Sequence, residues 1–241
     1  MQYRKRDLLR NTFAISITIA TSGGYMELKD FRRQYTKGGL RRGALPEQPM
    51  ALFEQWQADA TAAGLADPTG CVVATVHPGG MVRQRFVLLK GVDERGFVFY
   101  TNYKSDKAVA LSHCDEASML FPWNELDRQV SISGVVRKVS EEESDQYFAA
   151  RPRASQLAAW TSQQSQPIES RDALEQQFHA TVARFEGDHV ARPPHWGGFR
   201  LEPTRIEFWQ GGSDRLHDRF VYVSEPSEQG SDQWRLSRLQ P

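Results

Sequence analysis

Cysteine is nearly absent from this chain of 241 residues: Cys71 and Cys114 are the only two. Neither belongs to a CxxC pair or lies near paired histidines, which argues against a disulfide framework and a zinc site. A charge excess is missing too. Thirty Lys and Arg balance thirty Asp and Glu, so no global field draws the chain to nucleic acid or an anionic membrane. Any anion site has to be local. There is no apolar run of transmembrane length, no internal repeat and no low-complexity tract. What is present, 39% hydrophobic and 11% aromatic residues, suffices for a sizeable core. A reducing cytoplasm fits this composition best. Both cysteines stand in apolar contexts and are expected to be small core residues.

The first 25 residues differ in character from the rest. Arg4, Lys5, Arg6 and Arg10 precede Phe13-Ala14-Ile15-Ser16-Ile17-Thr18-Ile19-Ala20, the outline of a signal peptide whose apolar stretch Ser16 and Thr18 interrupt. A translation start at Met26 is the favoured alternative. Residues 1–25 are therefore expected to be an extension without chemistry, and residues 26–241 a single domain.

From Met26 the pattern is α+β and dominated by antiparallel strands. Leu52, Phe53, Trp56, Ala60 and Ala63 recur at helical spacing after Pro49, and Gly64 helps to end that helix. Strands are expected over Cys71–Val76 and Met81–Lys90, joined by His77-Pro78-Gly79-Gly80, then over Phe97–Thr101, Ala117–Trp123 and Gln129–Val139. Ser140 and Glu143 form a capping box for a helix reaching about Ala150. Leu174, Phe178, Val182 and Phe185 mark another helix. Strands return at Gly198–Leu201, Arg205–Gln210, Arg219–Val223 and Gln233–Leu239. Many short strands in series predict a barrel rather than a parallel sheet.

Several polar groupings suit anions. A strand through Arg215-Leu216-His217-Asp218-Arg219 would set Arg215, His217 and Arg219 on one face, each roughly 6 to 7 Å from the next. Cations crowded this way are unfavourable without an anion or an electron-rich ring among them; a solvated edge strand is the plain alternative. The preceding Gly211-Gly212 permits close backbone approach to a ligand. Arg83 and Arg85 would share one face of their strand, with Gln84 and Lys90 on the other. Ser105-Asp106-Lys107 opens a helix where free N–H groups and a lysine favour phosphate. Tyr147, Arg151 and Ser155, at four-residue spacings, offer two hydroxyls and a guanidinium to phosphate oxygens. Core packing for Tyr147 and a solvated helix end for Arg151 are the alternatives.

Seven segments, in order from about residue 30 to the C-terminus, resemble the pyridoxine (pyridoxamine) 5′-phosphate oxidase family. They are Arg32-Arg33-Gln34-Tyr35-Thr36-Lys37-Gly38-Gly39-Leu40, Gln84-Arg85-Phe86-Val87-Leu88-Leu89-Lys90, Phe99-Tyr100-Thr101-Asn102, Arg128-Gln129-Val130, Tyr147-Phe148 with Arg151-Pro152-Arg153-Ala154-Ser155-Gln156, Trp196-Gly197-Gly198-Phe199-Arg200, and Glu207-Phe208-Trp209-Gln210-Gly211-Gly212 through Arg215–Phe220. The resemblance implies an FMN-binding split β-barrel and a homodimer with active sites at its interface. It also implies oxidation of pyridoxamine or pyridoxine 5′-phosphate to pyridoxal 5′-phosphate, with O₂ as acceptor, hydrogen peroxide as by-product and ammonia released from the amine.

Carried over by residue, Arg85 and Lys107 match FMN-phosphate ligands. Phe86, Val87, Leu88, Leu89, Lys90, Tyr100, Thr101, Asp106, Gln129, Gln164, Ser165, Trp209 and Arg219 match other positions around the flavin. Lys90, Tyr147, Arg151 and Ser155 match the substrate-phosphate pocket, Arg32 and Tyr35 a covering N-terminal segment, and Arg215 and His217 the catalytic residues against the substrate ring. Gln34 and Asp106 depart from the pattern, since an acidic residue is common at the first and an arginine at the second. Asp106 is expected either to weaken FMN binding by repulsion or to point outward as a first-turn acid favoured by the helix dipole. A related barrel oxidase acting on another ring, or a non-catalytic flavin or pyridoxal-phosphate binding protein, is the alternative.

Overall fold

The apolar spacing after Pro49 becomes helix α1 (Pro49–Ala62), whose Leu52, Phe53, Trp56 and Ala60 are buried. Phe53 is the hub of the core: its ring meets Phe97 at 4.8 Å and Phe121 at 5.0 Å, both edge to face. Truncating such a ring to alanine costs about 3–5 kcal/mol. The computed structural model describes residues 33–226 and 233–241, and Tyr35–Pro241 form one compact unit. The extension expected over residues 1–25 and the covering residue Arg32 lie outside the described residues.

The strands are β1 (Gly70–Val76), β2 (Val82–Leu88), β3 (Gly91–Asp93), β4 (Gly96–Asn102), β5 (Glu116–Trp123), β6 (Arg128–Lys138), β7 (Trp196–Gln210), β8 (Asp218–Glu225) and β9 (Gln233–Leu239). All pairings are antiparallel, in the order β2-β1-β5-β6-β7-β4-β3, with β8 on β7 and β9 on β8. The sheet curls over the core as half of a barrel, as the run of short strands predicts. Helices α2 (Asp106–His113), α3 (Glu141–Ala150), α4 (Arg153–Thr161) and α5 (Arg171–Arg184) flank it.

Strand β7 organises everything that follows. Its first part, Trp196–Leu201, pairs with β4, and its last part, Arg205–Gln210, pairs with β8. The two strands expected here are thus one strand of 15 residues. A bulge between Ser133 and Gly134 of β6 takes up the shift beside Pro203. Glycine is required there, because a Cβ at Gly134 would lie 2.0 Å from the Glu202 carbonyl oxygen.

Two further expectations are corrected. Arg215, His217 and Arg219 do not share one strand: Ser213–Arg215 is a 3-10 turn, and β8 starts only at Asp218. Asp214 (φ 54°) and Arg215 (φ 65°) take the left-handed conformation, which breaks the period of two. Helix α4, directly after Pro152, is not among the expected elements. Pro152 stands at the N-cap of α4 with φ −53°, already helical in φ, and Arg153-Ala154-Ser155-Gln156-Leu157-Ala158-Ala159 propagates the helix. Cys71 is buried as expected, and burial pushes its thiol up to about 12. Cys114 is only half-buried, because it caps the C-terminus of α2 at the core margin.

Candidate active site

Tyr100 of β4, Tyr147 of α3 and Trp196 of β7 build the wall of a cleft of about 360 Å³. Tyr100 and Tyr147 stack at 3.9 Å, and Trp196 continues nearly parallel at 5.5 Å from Tyr100. Helix α3 is held in position by the expected capping box: Ser140 Oγ accepts from the Glu143 N–H (3.1 Å), and the Glu143 carboxylate accepts from the Ser140 N–H (3.2 Å). That helix delivers Tyr147 and, at its C-cap, Arg151. The Arg151 guanidinium lies 4.5 Å over the Trp196 ring. Its NH1 is buried with no hydrogen-bond partner, a costly arrangement for a charged donor unless an anion completes it. Burial is also what lowers the Arg151 pKa.

A second cationic group sits where β4 runs into α2. Lys107 is buried, and its ammonium donates to Thr101 Oγ1 (3.0 Å), Ser105 Oγ (3.4 Å) and Gln164 Oε1 (3.4 Å), all uncharged. Desolvation, then the charge of Arg85, bring its pKa down to about 8, against an opposing pull from Asp106. Arg85 reaches in from β2, donating to Thr75 Oγ1 at 2.7 Å and to the Val73 carbonyl at 3.2 Å. No side chain caps α2 at Ser105, so its first N–H groups remain available to an anion. Asp106 does not point away from this group: its carboxylate faces Arg83 at 2.8 Å and Arg85 at 3.6 Å.

The remaining expected residues collect elsewhere. Tyr35, Trp209 and His217 form an aromatic cluster, with centroid separations of 5.5 Å (Tyr35 to Trp209), 5.3 Å (Tyr35 to His217) and 4.7 Å (Trp209 to His217). Glycine at 211 makes room for it, since a Cβ there would lie 2.7 Å from the Tyr35 ring. The Gly212 N–H donates to His217 Nδ1 at 3.1 Å, so in the neutral ring the proton sits on Nε2. Gln129 pairs with Trp209 across β6 and β7. Arg219 is bound to the buried Glu207 at 2.7 Å, while Arg215 is exposed on its strained turn.

The cleft thus unites Phe86, Val87, Leu88, Lys90, Tyr100, Thr101, Lys107, Tyr147, Arg151 and Gln164. Leu89 turns into the core, and Arg85, Asp106, Ser155 and Ser165 do not line the cleft. Tyr35, Gln129, Trp209, Arg215, His217 and Arg219 belong to the opposite end of β7, roughly 40 Å away along the strand. Asn102, Ser162 and Trp196 line the cleft without having been expected to. Asn102 and Trp196 stand inside segments that carry the resemblance; Ser162 has no such signal.

Residues 58–184 match the family described as pyridoxamine 5′-phosphate oxidase, and residues 196–241 match the pyridoxine 5′-phosphate oxidase C-terminal dimerisation region. The chain belongs to the pyridoxamine 5′-phosphate oxidase family. It is 50% identical over 215 residues to the pyridoxine/pyridoxamine 5′-phosphate oxidase of Shewanella amazonensis, covering 89% of this chain and 99% of that one. With the protein of the same name from Rubrobacter xylanophilus it shares 49% identity over 219 residues, 91% of this chain and 99% of the other. Among solved structures, PhzG from Burkholderia lata, in complex with tetrahydrophenazine-1-carboxylic acid, superposes with a TM-score of 0.75 at 32% identity, covering 83% of this chain and 95% of that one. A second member of this fold, an FMN-binding protein from Nostoc punctiforme, has a TM-score of 0.64 at 16% identity over 82% of this chain and all of that one. Like this chain, the family is built on the split β-barrel.

Proposed function

We propose that this enzyme oxidises pyridoxamine and pyridoxine 5′-phosphate to pyridoxal 5′-phosphate on FMN, at a site completed by two copies of the chain. The observation that carries the reading is the presence of two separate cationic groups around one aromatic-walled cleft. Arg85 and Lys107 suit the phosphate of the cofactor, and Arg151 with Lys90 suits that of the substrate. The orphaned NH1 of Arg151 supports the second assignment, and the buried Lys107 among neutral oxygens supports the first. Bound flavin supplies the hydride acceptor that no side chain offers, with O₂ as the final electron acceptor and hydrogen peroxide as product. The protein contributes positioning: anchoring the remote phosphate at Arg151 sets the reacting carbon, an effect worth up to about 7–11 kcal/mol in favourable cases.

The Tyr35, Trp209, Arg215 and His217 end completes this site from a second copy. Phe86 and Leu88, exposed on the outer face of edge strand β2, border the cleft and supply apolar surface for that copy to cover. His217, with Nδ1 occupied by the Gly212 N–H, offers Nε2–H to orient the substrate. Arg215 stacks over the substrate ring and offsets charge developing on it. The unpaired Cys71 and Cys114 fit a reducing cytoplasm.

Subunit mixing tests the proposal. Assayed at substrate well below KM, where Arg151→Ala and Arg215→Leu are each weakly active alone, the two variants should recover about a quarter of wild-type activity when co-assembled, because half the dimers are mixed and each carries one intact site. No recovery in verified mixed dimers would place both residues in a site within one chain. A PhzG-like reading, in which another ring is oxidised, predicts no dependence on a substrate phosphate; comparing phosphorylated with dephosphorylated substrate decides between them.

A further inference from the structure

Two guanidinium groups, not one, converge on the start of α2. Arg83 and Arg85 share a face of β2, since alternate strand residues point the same way. Arg85 is the inner one, with 18% of its side chain exposed, and Arg83 the outer, with 52%. Asp106 links them: one carboxylate oxygen accepts from Arg83 at 2.8 Å and the other stands 3.6 Å from Arg85. His77 Nε2 also lies 3.2 Å from that second oxygen, although not aligned for a hydrogen bond.

The charges decide what this arrangement suits. Arg83, Arg85 and Lys107 carry three positive charges and Asp106 one negative, leaving two, which matches a phosphomonoester dianion. Without Arg83 only one would remain, and Arg85 alone, 3.6 Å away, would offset the Asp106 carboxylate beside the phosphate. An ordinary exposed ion pair would have no bearing on ligand binding. Here the pair sits at the mouth of a helix start that no side chain caps.

We propose that Arg83 is a third cation of the FMN-phosphate cradle and that Asp106 is the positioning residue that holds it there. This rests on the reading that the FMN phosphate lies at the Lys107 end of the cleft, with Arg85 beside it. The two residues act together: Asp106 draws the Arg83 guanidinium toward the phosphate, and Arg83 cancels the repulsion that Asp106 alone would exert.

Titrating the apo-protein with FMN and with riboflavin, which lacks the phosphate, tests this by flavin fluorescence. Arg83→Gln should weaken FMN roughly 3- to 10-fold and leave riboflavin unchanged, with the difference shrinking as salt rises. In the Arg83→Gln background, Asp106→Asn should recover FMN affinity; in the wild-type background the same change should give no gain. Wild type that binds both flavins equally would remove the phosphate cradle and this proposal with it. Wild type that discriminates between them, with Arg83→Gln discriminating equally well, would remove Arg83 alone and leave the cradle standing. Equal loss of both flavins in Arg83→Gln would likewise overturn the proposal.

Discussion

The two ends of β7 are built on opposite principles. At the Trp196 end, cations are buried ahead of their ligands: Arg151 leaves a donor unpartnered and Lys107 is desolvated. At the Trp209 end the charges are already neutralised within the chain, Arg219 by Glu207 and Arg238 by Asp218. What is left open there is Arg215, exposed on a left-handed turn. One end buries cations, and the other exposes the Arg215 guanidinium next to the half-buried His217 imidazole. In the function proposed above, grip and chemistry are separated along one strand, and the pairing of two copies would bring them together.

The sharpest way to break this division is Arg215→Leu. It should reduce turnover by roughly 100-fold or more while flavin content, read from absorbance, stays at the wild-type level. Lost flavin would show that the Trp209 end grips as well. Arg151→Ala should act in the complementary way, raising KM for phosphorylated substrate about 10- to 100-fold through loss of a charge-assisted contact worth roughly 1.5–3 kcal/mol. Steady-state kinetics check this, and an equal fall in flavin content would reassign Arg151 to the cofactor.

Lys107 gives the comparison a pH dependence. Its pKa in the folded protein, about 8, is below its ordinary value. The charged form is therefore disfavoured by folding, and apo-protein stability gains from this residue as pH rises from about 8 towards the usual lysine range. FMN binding should change in the other direction, weakening as Lys107 loses its proton above about pH 8. Affinity measured from pH 7 to 10 that stays flat, or that is equally affected in Lys107→Met, would detach this residue from the phosphate. The smallest effect is expected for Ser140→Ala, which opens the capping box of α3. It should cost about 1 kcal/mol, a melting shift of roughly 2–4 °C, with little change in kcat. A large rise in KM would mean that the cap also sets the position of Arg151.

Much of this molecule was legible before its fold was known. The apolar spacing of Leu52, Phe53, Trp56 and Ala60 and the Ser140 to Glu143 box are local codes, read by neighbours a few residues apart, and both became the expected helices. The cations proposed for the two phosphates also stand in short segments of the sequence. The reading failed where a backbone angle outweighed side-chain alternation, as at Asp214 and Arg215. It also did not foresee that Pro152 starts α4 directly after α3.

By itself the sequence determined the strand-rich class, which follows from composition and periodicity, and, through the resemblance of seven ordered segments, the family. The tertiary structure alone decided that Arg151 lies over Trp196 with its NH1 unpartnered, that Asp106 joins Arg83 to Arg85, and that the expected site divides between the two ends of β7. Each of those depends on distances between segments tens of residues apart, and these are set by strand register and core packing, which no local pattern encodes.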